Sequence, residues 1–483
     1  MHSPEVPAPA APWRGPVNGA PRLRADAALP PDSDSFLKLA FGLFAVDLFL
    51  TVSRLLEIVP IAGGVRIPYL GVTLHVATLA LALMSGGAKR VASSRVGVWL
   101  GTFTAWMMIC TLLSTWKGGS TDTLLRQWLP SLIIFVSCGT VVTLLQFRKI
   151  ATILAAAIAV IAAASNALGG LKEDRLVLDT GTLGNANELS ILLVLGAPFF
   201  LVPVFSKTSS GLRKALALSL SAMVIVVIIR SGSRSNFLAL VSILIVLFWT
   251  RPFAGKLKLG LLAVVLLAVF VAAVPRAVLS RYTTIFGGAE SGDEIATSAE
   301  ESSAVRQHLL QQSLKLTMQH PIFGLGPGTF VVGEADLAKK EGQQATWRVS
   351  HNSYTQVSSE MGIPGLLLYL VALWATFRNI FWSRARSHID PTGRASALSL
   401  ALLLSLTGLC VNLIFSSNAY FSYLPMLMGL SVVFRKTLEL EMVRQSAVVT
   451  APRPRIAVDI KPAPASPRKT SYRFLGRPRR SGT

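Results

Sequence analysis

Residues 306–330 read RQHLLQQSLKLTMQHPIFGLGPGTF, and residues 351–370 read HNSYTQVSSEMGIPGLLLYL. They close the one long interval between apolar runs in a chain otherwise built of such runs. Across residues 302–320, Val305, Leu309, Leu310, Leu314 and Met318 recur close to helical spacing, which predicts a helix. Pro321 ends it, and GLGPG at residues 324–328 is a cluster of turn formers. The second stretch runs from a polar entry directly into an apolar segment.

Working outward, the composition fixes the class. The chain has 483 residues, 52% of them hydrophobic and 14% charged. Soluble domains carry about 25% charged residues, so the source is repeated apolar runs of bilayer length. In lipid each run satisfies its own backbone, which means helices. Period-two alternation is absent, which argues against a membrane barrel.

Such runs lie near 36–52, 67–84, 96–115, 128–147, 150–168, 187–205, 215–230, 236–250, 258–274, 362–382, 396–415 and 419–434. The expected fold is an all-α polytopic membrane protein with about 12 transmembrane helices. One large, partly helical loop separates helices 9 and 10. The expected divisions are a disordered cytoplasmic tail (1–35), helices 1–9 (36–274), the large loop (275–361), helices 10–12 (362–434) and a basic Pro/Arg-rich cytoplasmic tail (435–483).

The net charge of +22 does not point to nucleic acid. With the N-terminus placed in the cytoplasm, the connections at 89–95, 148–149, 207–214, 251–258 and 378–394 fall on the cytoplasmic side. All are basic, as the positive-inside rule requires. The large loop then faces the other compartment, with mixed charge. Residues 1–35 lack the order of a signal peptide. Cys110, Cys138 and Cys410 lie within apolar runs and read as small buried hydrophobes rather than disulfide or metal partners. The glycine cluster follows no strand and is not a nucleotide loop.

Several arginines stand on the outward side without a topological reason: Arg175, Arg230, Arg234, Arg281, Arg306 and Arg348. Each alone is an ordinary snorkelling residue. Together on one face they suit an anion, because guanidinium forks match phosphate oxygens and keep their charge. A lipid diphosphate is the ligand this points to. No carboxylate cluster suited to Mg²⁺ stands out, so no metal or cofactor is expected and the arginines would carry the electrostatic role.

His351 is either a hydrophilic helix-entry residue or a base able to take a hydroxyl proton. Asp47 and Glu188 are intramembrane acids. They are functional candidates or partners of a neighbour such as Arg54. His75 reads as a hydrogen-bonded core residue. His308, His320 and Trp347 have no informative spacing.

One order of motifs joins these observations. SGSRSNFLAL (231–240) is followed by a large outward loop, HPIFGLGPGTF, and HN…E-x-G-x-x-G at His351, Asn352, Glu360, Gly362 and Gly365. Upstream stands Arg175, then GTLGNANELS (181–190). This order resembles the bacterial O-antigen ligase and polysaccharide polymerase superfamily. The resemblance implies an inner-membrane, multi-pass, metal-independent glycosyltransferase acting on the periplasmic side, with both termini cytoplasmic. The implied donor is a glycan on undecaprenyl diphosphate. The acceptor is lipid A-core for a ligase, or another lipid-linked unit for an O-antigen or exopolysaccharide polymerase.

By motif, Arg234, Arg306 and His351 take the family's catalytic positions. Arg175, Arg281, Asn352 and Glu360 are assigned to substrate binding, Glu360 with the alternative of anchoring the helix entry. Chain-length regulators or export proteins are the further partners such a role admits. A polymerase is preferred to a ligase. The alternatives from other classes are a lipid-linked glycan transporter and a non-catalytic scaffold.

Overall fold

The computed structural model describes residues 35–58, 67–172, 174–253, 255–257, 260 and 294–450. The tail before residue 35, nearly all of the expected ninth helix, Arg281 and the tail beyond residue 450 lie outside the described residues. The longer helices are α1 (Ser35–Ser53), α2 (Ile67–Met84), α3 (Arg95–Leu112), α4 (Leu129–Ser137), α5 (Leu144–Leu168), α6 (Ala186–Phe205), α7 (Gly211–Arg230), α8 (Arg234–Trp249), α9 (Glu294–Gln319), α10 (Phe330–Lys340), α11 (Ser353–Arg386), α12 (Arg394–Leu413) and α13 (Tyr423–Thr450).

Among the described residues, α1, α3, α5, α6, α7, α11 and α12 are long and apolar enough to cross a membrane. Helices α2 and α8 are apolar but shorter. The protein is therefore an all-α polytopic membrane protein. Helix α12 is the most enclosed span and packs against α8 and α11, whereas α7 is mostly lipid-accessible.

Four expectations change in detail. The apolar run near 128–147 is not one helix. A helical stretch from Lys117, with a π-turn at Thr123–Trp128, runs through α4 and ends at Thr140. Helix α5 then starts at Leu144, because Thr143 and Gln146 form a capping box. Thr143 Oγ1 accepts from Gln146 N at 3.1 Å, and Gln146 Oε1 accepts from Thr143 N at 3.1 Å. Two backbone donors are thereby satisfied where the chain turns.

Second, a short antiparallel hairpin follows α5, pairing β1 (Gly170–Lys172) with β2 (Arg175–Val177). Third, α9 buries Leu309, Gln312, Ser313 and Leu316, while Leu314 and Met318 are exposed. Leu309 and Leu316 join Leu325, Phe330 and Leu337 in a small core of the loop region itself.

The fourth concerns the tenth expected helix, which starts at Ser353 rather than 362. Asn352 caps it, its Oδ1 accepting from Tyr354 N at 3.0 Å and Thr355 N at 3.1 Å. The helix then breaks at Gly362, where φ is 71°. The glycine-rich turn is stitched to that break by three backbone hydrogen bonds. Leu325 N donates to Ser359 O (3.0 Å), Gly326 N to Glu360 O (2.8 Å) and Ile363 N to Pro321 O (2.8 Å).

The connections gather at two ends. At one, Arg148 Nη2 meets Asp390 Oδ2 at 2.6 Å, Lys207 N donates to Thr392 O at 3.0 Å, and Arg90 Nη1 donates to Gly139 O at 2.6 Å. These belong to the basic connections. At the other, Thr115 N donates to Leu325 O (2.9 Å), and Arg175 and His351 meet the segments described below.

Gly362 combines a left-handed backbone with direct apposition to the Pro321 and Ile322 carbonyls. Any Cβ there meets main-chain atoms that cannot swing aside. Gly362→Ala is expected to cost roughly 1–3 kcal/mol. Thermal unfolding of the purified protein checks this, and an unchanged midpoint would remove the stitch from the fold's requirements.

Candidate active site

The SGSRS turn builds the first wall. Ser231 Oγ donates to Ile228 O at 2.6 Å and closes α7. Gly232 turns the chain with φ 60°, and Ser233 is the N-cap residue of α8. Arg234 is thus the first residue of α8, at a helix N-terminus where the dipole also favours an anion.

The hairpin brings Arg175 to the same turn. Its Nε donates to Ser231 O at 3.0 Å and its Nη2 to Asn187 Oδ1 at 2.8 Å. Ser233 Oγ donates to the same Asn187 oxygen at 2.8 Å. Asn187 belongs to the NANE sequence that opens α6, where Asn185 is the cap. The hairpin, α6 and the α7–α8 turn are thereby held as one unit around Arg175 and Arg234.

Arg306 reaches the site from α9. Burial, then the nearby Arg234 charge, pushes its guanidinium pKa down from the usual value. His351 stands at the entry to α11 in a left-handed backbone, φ 53°. Its N donates to Ser417 Oγ at 2.8 Å. Strain of this kind in a non-glycine residue persists only where the surroundings impose it. Burial, followed by the Arg306 and Arg348 charges, holds the imidazole down at about 4. At neutral pH it is an uncharged base facing arginines. No ion pair between a described carboxylate and Arg306 or Arg348 is formed.

Glu360 and Asn352 are engaged within the protein. The Glu360 carboxylate, fully buried, accepts from Gly328 N (2.8 Å), Phe330 N (3.1 Å) and Tyr420 Oη (2.7 Å). It anchors the glycine turn and the start of α10. Asn352 caps α11, as described. Arg281 lies outside the described residues.

Asp47 does not pair with Arg54. His75 Nδ1 lies 2.5 Å from Asp47 Oδ1, and Thr78 Oγ1 donates to Asp47 Oδ2 at 3.0 Å. Arg54 pairs with Glu57 at 3.0 Å. Glu188 accepts from Asn418 Nδ2 at 3.2 Å and Tyr423 Oη at 3.4 Å.

A buried amide seam supports the cluster and was not singled out from sequence. Asn236 Nδ2 donates to Ser190 Oγ (2.7 Å) and Ser233 Oγ (2.9 Å), and its Oδ1 accepts from Asn412 Nδ2 at 2.8 Å. Asn412 Oδ1 accepts from Ser416 Oγ at 2.8 Å. Ser353 Oγ donates to Ser416 O at 2.6 Å. The seam thus runs from the Arg234 turn to the His351 entry. Amides inside two apolar runs, in SRSNF and CVNL, were the signal that could have found it. Among the described residues, no group of three or more His, Cys, Asp or Glu is placed to hold a metal ion.

This arrangement provides fixed positive charge beside a neutral imidazole, which suits an anionic leaving group next to a hydroxyl. Comparison with known families matches residues 216–370 to the model described as O-antigen ligase. That interval contains Arg234, Arg306, His351, Asn352 and Glu360, but not Arg175. A comparison with curated proteins gives no significant match.

Replacing Asn412 by Leu leaves the buried Asn236 Oδ1 without its donor. The expected cost is about 1–3 kcal/mol, read as a lower unfolding midpoint. A midpoint equal to wild type would show that the seam is dispensable.

Proposed function

We propose, from the match of residues 216–370 to the O-antigen ligase model, that this chain transfers glycan from undecaprenyl diphosphate to an acceptor hydroxyl at the periplasmic side of the inner membrane. The reaction favoured is polymerisation of lipid-linked repeat units of a surface polysaccharide. Transfer to lipid A-core is the second reading. The observation that carries the proposal is a relay across three separate elements: besides burial, Arg234 acts on Arg306, and Arg306 acts on His351.

In this reading the large loop and its helices α9 and α10 lie outside the membrane, and both termini are cytoplasmic. The basic end described above is the cytoplasmic one. The acceptor oxygen attacks the anomeric carbon as the bond to the diphosphate oxygen breaks. His351 takes the hydroxyl proton. The bonding electrons leave with the diphosphate, whose growing charge is met by Arg234 and Arg306, with Arg175 completing the wall. In-line attack inverts the anomeric centre. The arginines supply the charge stabilisation without a metal ion. Glu360 and Asn352 act through the backbone they hold, and Arg281 is a further candidate for the donor.

The test starts from a strain lacking the protein, in which lipid-linked and surface glycans are extracted and sized. Accumulated single units with no long chains are expected. Long lipid-linked chains that never reach lipid A-core would establish the ligase instead. Units trapped on the cytoplasmic face would overturn transferase action. Complementation with Arg306→Ala or His351→Ala at equal protein level should lower polymer output by about 10²-fold or more. Arg306→Lys should rescue poorly, because an ammonium lacks the planar fork. Full output from all three variants would remove the centre.

The pH dependence follows from His351. In the fold it stays neutral until about 4, whereas an unfolded chain protonates it near 6.5. Its contribution to stability is therefore present above about 6.5 and declines as pH falls toward 4. The acid limb of kcat/KM, which reports the free enzyme, should lie near 4. Bound diphosphate favours the imidazolium, so the limb of kcat should lie higher. A kcat/KM limb at the ordinary histidine value would contradict the electrostatic placement.

A further inference from the structure

At the end of the bundle remote from His351, a cavity of about 530 Å³ opens between the ends of α6, α8, α11 and α12. Its lining includes Phe205, Lys207, Arg251, Arg384 and His388. The acidic residue in the lining, Asp390, is already committed. Its Oδ2 accepts from Arg148 Nη2 (2.6 Å) and Ala395 N (2.9 Å), and its Oδ1 from Thr392 N (3.1 Å) and Thr392 Oγ1 (2.7 Å). Neither Arg251 nor Arg384 forms an ion pair with a described carboxylate.

Both guanidinium groups carry a buried nitrogen with no hydrogen-bond partner among the described residues, Arg251 Nε and Arg384 Nη1. A buried donor left unmade is costly. Cations at helix C-termini are favourable on their own, but the dipole does not fill a donor or explain why two arginines line one cavity. Arg251 Cζ lies over the Phe205 ring, 3.8 Å from its centroid, a contact that restrains the side chain. Burial, then the charge of Arg384, also lowers its pKa.

We propose that this cavity is a binding site for a phosphate-bearing anion, held by Arg251, Arg384 and Lys207. Several acceptor oxygens on one small anion satisfy the unmet donors and separate the like charges. The source is a phospholipid headgroup or a soluble phosphate. Basic pockets between helix ends commonly take headgroups. The site lies beyond the α8 terminus opposite Arg234, and Arg384 lies in the last turn of α11, the helix that His351 introduces. Occupancy therefore ties together the far ends of two helices that carry the candidate active site.

The full-length protein is purified and binding is measured by native mass spectrometry, with phosphatidylglycerol against phosphatidylcholine, and separately by titration of inorganic phosphate. Retention of phosphatidylglycerol identifies the headgroup. Saturable binding of inorganic phosphate alone identifies the soluble source. Arg251→Gln and Arg384→Gln should each weaken the observed binding by about tenfold, while Lys89→Gln, a surface cation elsewhere, leaves it unchanged. If either arginine variant fails to fold, the exposed Lys207→Gln reports in its place through reduced binding at an unchanged unfolding midpoint. Absence of both ligands, wild-type affinity in the variants that fold, or an equal loss in Lys89→Gln overturns the proposal.

Discussion

The architecture depends on one backbone-to-backbone contact, between the glycine-rich turn and the break in α11. Gly324 and Gly362 allow main chain to touch main chain, and the bonds from Leu325, Gly326 and Ile363 fasten the two segments. The Glu360 carboxylate adds two more backbone donors, from Gly328 and Phe330. The described loop helices α9 and α10 adjoin this seam. Helix α9 ends into the turn and α10 begins from it, so the placement of Arg306 follows from it. The seam also reaches α3, where Trp106 Nε1 donates to Met361 O at 2.9 Å, and the segment after it, where Ser114 Oγ donates to Leu325 O at 3.2 Å.

A site that gathers guanidinium groups works against itself until an anion arrives. Burial, and then like charge, penalises the charged forms of Arg306 and His351, whose pKa values are both pulled down. The cost is borne by the scaffold: the hairpin bonds of Arg175, the amide seam through Asn236 and Asn412, and the hydroxyl of Ser417 behind His351. These partners are fixed by the fold itself, which is the preorganisation that the proposed transfer calls for. The neutral imidazole arises first from burial and then from the Arg306 and Arg348 charges.

Much of this was legible in the residues. Apolar run length gave most of the helices, and loop charge anticipated which connections meet at one end, as Arg148 with Asp390 and Lys207 with Thr392 bear out. Arg234, Arg306 and His351 were picked out by motif order; in the fold Arg306 feels the charge of Arg234, and His351 that of Arg306. The run near 128–147 misled because hydropathy averages over a turn, while the Thr143–Gln146 capping box is a local hydrogen-bond signal. The hairpin was missed because three-residue strands carry no periodicity. The α9 face was misjudged because its buried side includes Gln312, Ser313 and Thr317, and polar residues that pack do not enter an apolar stripe. The partner of Asp47 was unreadable, since His75 lies on another helix 28 residues away.

The amide seam has a consequence for biosynthesis. Asn236 meets Asn412 across 176 residues, and His351 meets Ser417 across 66. The chain is made from its N-terminus, so the Arg175 contacts to Asn187 and Ser231 are available long before Asn412 reaches Asn236. Contacts of such sequence separation form late. A partly synthesised chain holds the arginines without the loop at residues 416–418 that sets His351. The contact that holds the His351 backbone is therefore completed only after α12 has been made.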